Sequence, residues 1–460
     1  MTTAAQPLTV PALAPAGTVP WTPREQAERT MNTFLSPVVG IVRSLYDRLH
    51  DTDDVYAYSI AADACNSKVL IDVACNKSNG GAGPDPDGAR LSAIGETVER
   101  YSGAFVPFDQ LRHGTYAELT ADGLTCLSPE EYQPFARWQY EHPQVPFQPY
   151  TADTRMHWTA SLRLGDGERV WLPAQAVYLC ENLLRDPPLT YPTSNGLAYG
   201  STTDEALVGG ILELLERDGV MVTWYKRLSL PLVDVESDPE LAAFFRRHVW
   251  PSGMHVSIVD VSRFAGVAAV LAVVRNRNTD FAPLGLGAAA AADPRRAVTK
   301  AVCEAVSTRG WAFLKQRDGD VPDPDSDFYR TITAFEDHVG LYANPSLVAE
   351  TEFLDASSER VAVADLPRLP DGNPGELRDA LIERATAGGV NLYAVDATSP
   401  DVREAGGHVV KVFSPQLQPL DAGYAGRHLG GDRLHGRLVE QGHIDPADAD
   451  YVNPLPHPFP

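Results

Sequence analysis

Cations are scarce in this chain of 460 residues: 38 Lys and Arg stand against 61 Asp and Glu, a net charge of −23. Nonspecific nucleic-acid binding needs clustered cations that displace counterions, so that class is excluded. An anionic membrane surface is excluded as a partner on the same ground. Long apolar runs are missing too. No stretch reaches the roughly 18 residues of a membrane span. Met1 to Pro20, rich in Ala, Thr and Pro, lacks the basic start and apolar block of a signal peptide. The five cysteines (Cys65, Cys75, Cys126, Cys180, Cys303) form no CxxC pair. That removes a zinc knuckle and a disulfide framework, and makes a reducing cytoplasm the expected setting. A Walker phosphate-loop signature is also absent.

What is present suits a globular, loop-rich chain: 44% hydrophobic residues, with 36 Gly and 37 Pro. Residues 1–22 read as a flexible leader, and 23–460 as a single domain ending in a Pro-rich tail, 454–460. The pattern predicts helices over Arg24–Leu35 and Val38–Leu49, then strands over Val55–Ala62 and Val69–Cys75. Pro84-Asp-Pro-Asp87 reads as a turn opening a helix. Thr203–Arg227 reads as the longest helix, and His255–Val261 and Val267–Val274 as strands. A Gly/Ala-rich loop should follow, then a helix from Asp293–Pro294. Arg169–Leu172, Leu392–Val395 and Val409–Phe413 read as further strands. Without a regular βαβ rhythm, the expected class is mixed α+β.

Three helices carry carboxylates. At about 100° per residue, Ser92, Glu96 and Glu99 share one face with Arg100, and Leu91, Ile94, Val98 and Tyr101 the other. In the second helix Thr202 and Glu205 suggest a capping box. Ile211, Leu215 and Val222 form its apolar face, with Glu213, Glu216 and Arg217 opposite. Gly209 and Gly210 cost about 1 kcal/mol each there relative to Ala, so either another backbone or a ligand must come close. In the third, Val302, Val306 and Phe313 face inward, while Lys300 and Glu304 pair four residues apart. Taken alone, the first helix reads as a solvated charged face and the third as an ordinary surface ion pair. Together, five glutamates with Arg100, Arg217 and Lys300 would suit a Mg²⁺-nucleotide site, because Mg²⁺ takes carboxylate and phosphate oxygens and the cations suit phosphate.

Ser92-Ala-Ile-Gly-Glu-Thr-Val-Glu-Arg100, then Ser194-Asn-Gly-Leu-Ala-Tyr-Gly200 leading into Glu213-Leu-Leu-Glu-Arg-Asp218, then Lys300, Glu304 and Arg309, resemble in order and spacing the YcaO family. The likeness runs from about Ser36 onward. It implies an α+β ATP-binding fold without a Walker motif, with Glu96, Glu99, Glu213, Glu216 and Glu304 holding Mg²⁺. It places Ser92, Ser194, Asn195, Ala198, Ser201, Arg217, Lys300 and Arg309 along ATP. There are departures: Ser307 where Gln is usual, Ser201 where Asn is common, Ala82 where Lys is common, and Lys300 where Arg is frequent.

Pro456-His-Pro-Phe-Pro460 resembles the PxPxP ending of family members that make thiazolines and oxazolines. Alternating prolines favour an extended strand, and the resemblance implies that the Pro460 carboxylate enters the active site as a candidate general base. A disordered tail is the bland alternative. The implied enzyme is an ATP-dependent cyclodehydratase of a ribosomal precursor peptide, with Arg217 and Lys300 in catalytic roles. About 35 residues precede the matching region, too few for a leader-binding domain, so a separate ThiF-like partner is expected. A flavin-dependent dehydrogenase could act afterwards, and a homodimer is compatible with the sequence. Alternatives are thioamide or amidine formation, or a noncatalytic nucleotide-binding scaffold. Gly285-Leu-Gly-Ala-Ala-Ala290 imitates a dinucleotide fingerprint, but the preceding strand ends too early for a Rossmann unit. His408, His428, His435 and His443 fit no ligand spacing and read as surface or loop histidines.

Overall fold

The computed structural model describes residues 10–459 apart from 12, 16, 50–53, 72 and 181–184. Three sheets organise it. The first is antiparallel, in the order β1 (Val42–Asp47), β2 (Tyr58–Ala64), β3 (Ser78–Gly83). A six-stranded sheet contains β4 (Arg112–Gly114), β5 (Met156–Arg163), β6 (Arg169–Pro173), β7 (Leu197–Gly200), β13 (Tyr393–Asp396) and β14 (His408–Phe413). Its order is β4-β5-β13-β14-β7, with β6 also on β5. A five-stranded sheet contains β8 (Leu232–Asp234), β9 (His255–Asp260), β10 (Ala268–Arg275), β11 (Leu284–Ala291) and β12 (Arg360–Ala362), in the order β11-β10-β9-β8-β12. All its pairs are antiparallel except β12 with β8. The α+β class holds.

Three long helices fill the junctions: α1 (Pro86–Ala104), α2 (Thr203–Tyr225) and α3 (Pro294–Asp318). Each starts at a side-chain cap. Asp85 accepts the Gly88 N–H at 2.9 Å, Thr202 that of Glu205 at 3.2 Å, and Asp293 that of Arg295 at 3.0 Å. The expected box at Thr202 is half made. The Glu205 carboxylate turns away to accept from Ser201 N–H (3.1 Å) and Thr22 N–H (2.7 Å).

Small residues let these helices reach the sheets. A Cβ on Gly81 of β3 would lie 2.3 Å from the Ala89 carbonyl of α1, and one on Gly287 of β11 would lie 2.2 Å from the Ala305 nitrogen of α3. On Gly210 of α2 it would meet the Gly196 carbonyl at 2.7 Å and Val412 at 2.8 Å. The glycine pair in α2 therefore answers to the close approach of β7, the residue before it and β14, with a Cβ on Gly209 against the Ala198 side chain at 3.2 Å. Each helix also touches a second sheet. Gly103 of α1 faces Leu197 of β7, Glu216 of α2 accepts from Ala290 of β11, and Ser307 of α3 bonds Ser59 of β2 at 3.0 Å. The helices thus link the three sheets in a closed cycle, with their polar faces turned to a common cleft.

Several expected elements change. Val38–Leu49 is not a helix; Val42–Asp47 forms β1, because pairing with β2 outweighs the helical spacing of its apolar residues. Val69–Cys75 is not a strand; a short helix occupies Ser67–Ile71, and the third strand is the glycine-bearing β3. The Gly/Ala-rich loop is strand β11, buried along its whole length because α3 lies on it. At 25 residues α3 is longer than α2, with 23. Phe313 of α3 is 37% exposed and lies outside the buried face. In the leader region, Trp21 donates to the Asp371 carbonyl (2.7 Å) and Arg378 to that of Ala14 (3.0 Å). Residues 1–9, 12 and 16 of that region lie outside the described residues.

Candidate active site

The polar faces of α1, α2 and α3 meet in one cleft. On α1, Arg100 lies 3.5 Å from Glu96 and 3.4 Å from Glu99. On α2, Arg217 Nε stands 3.7 Å from both Glu213 and Glu216. Glu216 Oε2 accepts the Ala290 N–H at 3.2 Å. On α3, Lys300 Nζ is 3.4 Å from Glu304.

Acidity reports that the helices converge. Burial raises the Glu96 carboxyl above its ordinary value; Arg100 opposes this, and Glu213 and Glu304 reinforce it from the other two helices. Glu99 is pushed well up by burial, with Glu213 and Glu96 adding to the effect. Glu216 is pushed up to about 7, chiefly by burial, against the pull of Lys300 and Arg217. Lys300 is raised by Glu304 first, then by Glu216 and Glu213. Each of the five glutamates therefore has at least one glutamate of another helix as a charged neighbour.

Two buried atoms sharpen this. Arg100 Nε and Arg217 Nε have no hydrogen-bond partner among the described residues. Unsatisfied donors beside carboxylates that burial pushes toward the neutral form are costly in a finished core. A ligand carrying both an oxygen-seeking cation and anionic oxygens would satisfy them together, and the all-oxygen donor set suits Mg²⁺. Among the described residues, no three of these glutamates bring ligand atoms within 4.8 Å of one another. That spacing fits a Mg²⁺ held by one or two carboxylates plus phosphate and water.

The other sequence-predicted residues fall variously. Ser92 is exposed on α1, one turn before Glu96. Ser194 and Asn195 are buried before β7, and Asn195 clamps the Leu420 backbone, donating at 2.9 Å and accepting at 3.2 Å. Ala198 lies in β7 against Gly209 of α2. Ser201 contributes its N–H to Glu205. Arg309 is committed to Asp54 (2.8 Å) and the Ala282 carbonyl (3.1 Å).

Two cations at the cleft were not singled out in the sequence. Lys411 on β14 is 2% exposed and donates to the Thr193 carbonyl at 2.7 Å. Burial lowers it to about 8, against the pull of Glu213 and Glu99. A lone lysine within His-Val-Val-Lys-Val-Phe was the available signal. Arg48, just after β1, is lowered by burial and lies in the field of Glu96. Lys411 also lines a cavity of about 310 Å³ with Asn195, Leu214, Phe413 and Gln418.

Residues 453–459 are no disordered tail. His457 and Phe459 are 1% and 2% exposed. Tyr342 donates to the Pro456 carbonyl (2.7 Å), Trp224 to that of Leu455 (3.1 Å), and His338 Nδ1 to that of His457 (2.9 Å). The two imidazoles stack with centroids 3.9 Å apart. His457 is held well below its ordinary pKa by burial, then by His338, and also by Arg217, so this segment runs up to the cleft. Pro460 lies outside the described residues.

The family model described as a YcaO cyclodehydratase binding ATP and Mg²⁺ matches residues 80–418. The chain belongs to the YcaO family. A heterocyclase solved with substrate and cofactor is 26% identical with a TM-score of 0.76, covering 96% of this YcaO chain and 58% of that one. The YcaO protein of Methanopyrus kandleri, solved with AMPPCP and Mg²⁺, shares the fold at a TM-score of 0.56 and 21% identity, covering 86% and 88% of the two chains. An uncharacterized protein of Methanothermobacter thermautotrophicus is 29% identical over 242 residues, 50% of this chain and 56% of its own. The chain thus spans little more than half the length of that relative and of the heterocyclase. Among the described residues, no helix is long and apolar enough to cross a membrane.

Proposed function

We propose that this YcaO chain is an ATP-dependent cyclodehydratase that converts Cys, or Ser and Thr, of a ribosomally made precursor peptide to thiazoline or oxazoline. The observation that carries this reading is the gathering of five glutamates from three helices around Arg100, Arg217 and Lys300. The side-chain thiol or hydroxyl of the peptide attacks the preceding backbone carbonyl carbon and gives up its proton. The resulting hemiorthoamide oxygen takes the γ-phosphoryl group of ATP. Loss of that oxygen as phosphate, with the proton of the former amide nitrogen, leaves the C=N of the azoline and ADP.

Bound Mg²⁺ would supply neutralisation of phosphate charge; Glu96, Glu99, Glu213, Glu216 and Glu304 are the carboxylates that would hold it, one or two to an ion. Arg217 and Lys300 bind and orient the phosphoryl oxygens, and their positive charge matches what develops in transfer. Ser92, Ser194, Asn195, Ala198 and Ser201 line the nucleotide, with Arg309 fixing the neighbouring loop. The cavity beside Lys411 admits the peptide backbone. Residues 23–460 act as one catalytic domain, in a cytoplasmic setting. A separate ThiF-like protein presents the leader peptide, and a flavin-dependent dehydrogenase oxidises the product.

The test incubates the chain with that partner, a candidate precursor and Mg-ATP. Peptide-dependent phosphate release with loss of one water per modified residue is expected. Exchange of oxygen for sulfur without ring closure would move the reading to thioamide formation. Absence of peptide-dependent turnover would leave a scaffold.

A further inference from the structure

Away from the cleft, the pairing of β4 with β5 sets His113 directly opposite His157. The two imidazoles lie with centroids 4.6 Å apart and planes tilted by 48°. Asp186 approaches from a separate loop. One carboxylate oxygen accepts the His157 backbone N–H at 2.7 Å, and the other faces His157 Nδ1 at 2.9 Å. The Asp186 side chain is 3% exposed and that of His157 25%, while His113 is exposed. Ligand atoms of the three lie within 4.8 Å of one another, the one such trio among the described residues.

We propose that His113, His157 and Asp186 form a binding site for a borderline divalent cation, Zn²⁺ being the ion to test, separate from the Mg²⁺ cleft. Two imidazoles and one carboxylate favour such ions over Mg²⁺, which keeps to oxygen. The geometry is half assembled. Zinc bonds of about 2.0–2.2 Å place tetrahedral ligand atoms about 3.4 Å apart. The Nδ1 to Oδ1 separation of 2.9 Å needs only slight widening to admit the ion where a proton now lies. The displaced proton passes to Nε2 of the same ring or to solvent, leaving Nδ1 free to coordinate. Oδ2 remains on the His157 N–H and keeps the carboxylate aimed. His113, with solvent around it, turns its ring to supply the third ligand, and water takes the fourth position. The ion would fasten the β4–β5 edge to the loop carrying Asp186.

The experiment titrates Zn²⁺ into the full chain by calorimetry with Mg²⁺ in excess, so that the oxygen sites are already occupied. Co²⁺ is then substituted to read its visible absorption. One equivalent of Zn²⁺ should bind, and Co²⁺ should give the intense bands of a tetrahedral site. His113→Ala, at an exposed position that leaves folding intact, should weaken binding about tenfold or more, as should Asp186→Asn. His255→Ala, at a different exposed histidine, should change nothing. Zinc should raise the melting temperature of the wild type and not of the His113→Ala variant. No zinc uptake by the wild type, or unchanged affinity and stoichiometry in both variants, would overturn the proposal.

Discussion

Glu216 and Asp218 stand two residues apart on α2, both withdrawn from water, and in opposite circumstances. Asp218 is held by the Arg433 guanidinium through both carboxylate oxygens, with Nε at 2.7 Å, and also accepts the Gln418 N–H at 2.8 Å. Glu216 has one backbone N–H at 3.2 Å, the field of Lys300, and an arginine at 3.7 Å whose Nε has no hydrogen-bond partner among the described residues. The first carboxylate is neutralised within the fold and works as structure. The second keeps unmet demand, shared with four other glutamates. Burial is alike at the two positions; completeness of pairing separates them, and the proposed roles rest on that difference.

The sharpest way to break this contrast is at Glu216. Glu216→Gln keeps the shape and can still accept from Ala290. Peptide-dependent ATP turnover should fall by at least about 100-fold with the circular dichroism spectrum unchanged. Retained turnover would dissolve the distinction. Asp218→Ala should do the reverse kind of damage. It strands Arg433, 7% exposed at its side chain, and should cost about 3–5 kcal/mol in urea unfolding. An exchange of these phenotypes would show the roles to be assigned the wrong way round.

Protons give a finer measure. The Glu216 carboxyl rises from 4.5 in the ordinary case to about 7, so the ligand-free fold prefers it neutral. That preference contributes stability fully below about pH 4.5 and loses it as pH rises through about 7. Wild type and Glu216→Gln should therefore unfold at similar denaturant concentrations at pH 5. At pH 8 the wild type should be weaker by about 2 kcal/mol, and Mg²⁺ with a nonhydrolysable ATP analogue should close the gap. Equal curves at both pH values would remove the claim of uncompensated charge. The smallest effect serves as a reference: Gly310 on α3 has nothing within 4 Å of an added Cβ. Gly310→Ala should raise stability by up to about 1 kcal/mol in thermal unfolding and leave the pH contrast untouched.

The site residues were more legible than the sheets around them. Helical spacing put Glu96 with Glu99 and Glu213 with Glu216, and their faces do meet. Convergence itself was not readable from periodicity, because it depends on which sheets the helices bridge; the order of motifs along the chain supplied that. Of the elements built from glycine and alanine, β11 was misread as a loop and β3 was missed. β3 and β11 lack the apolar alternation of ordinary strands because helices α1 and α3 lie too close for larger side chains. Lys411 was overlooked because a buried cation in a strand has no local spacing partner. Its counterparts, Glu99 and Glu213, lie far away in sequence.

Because α1, α2 and α3 each bridge two different sheets, no pair of sheets can enclose the cleft without the third. On the proposed reading, a nucleotide lodged there would touch the junctions of all three layers at once. Fraying at any seam would then let it go, so under that proposal retention of ATP would double as a gauge of whether the entire cycle is shut.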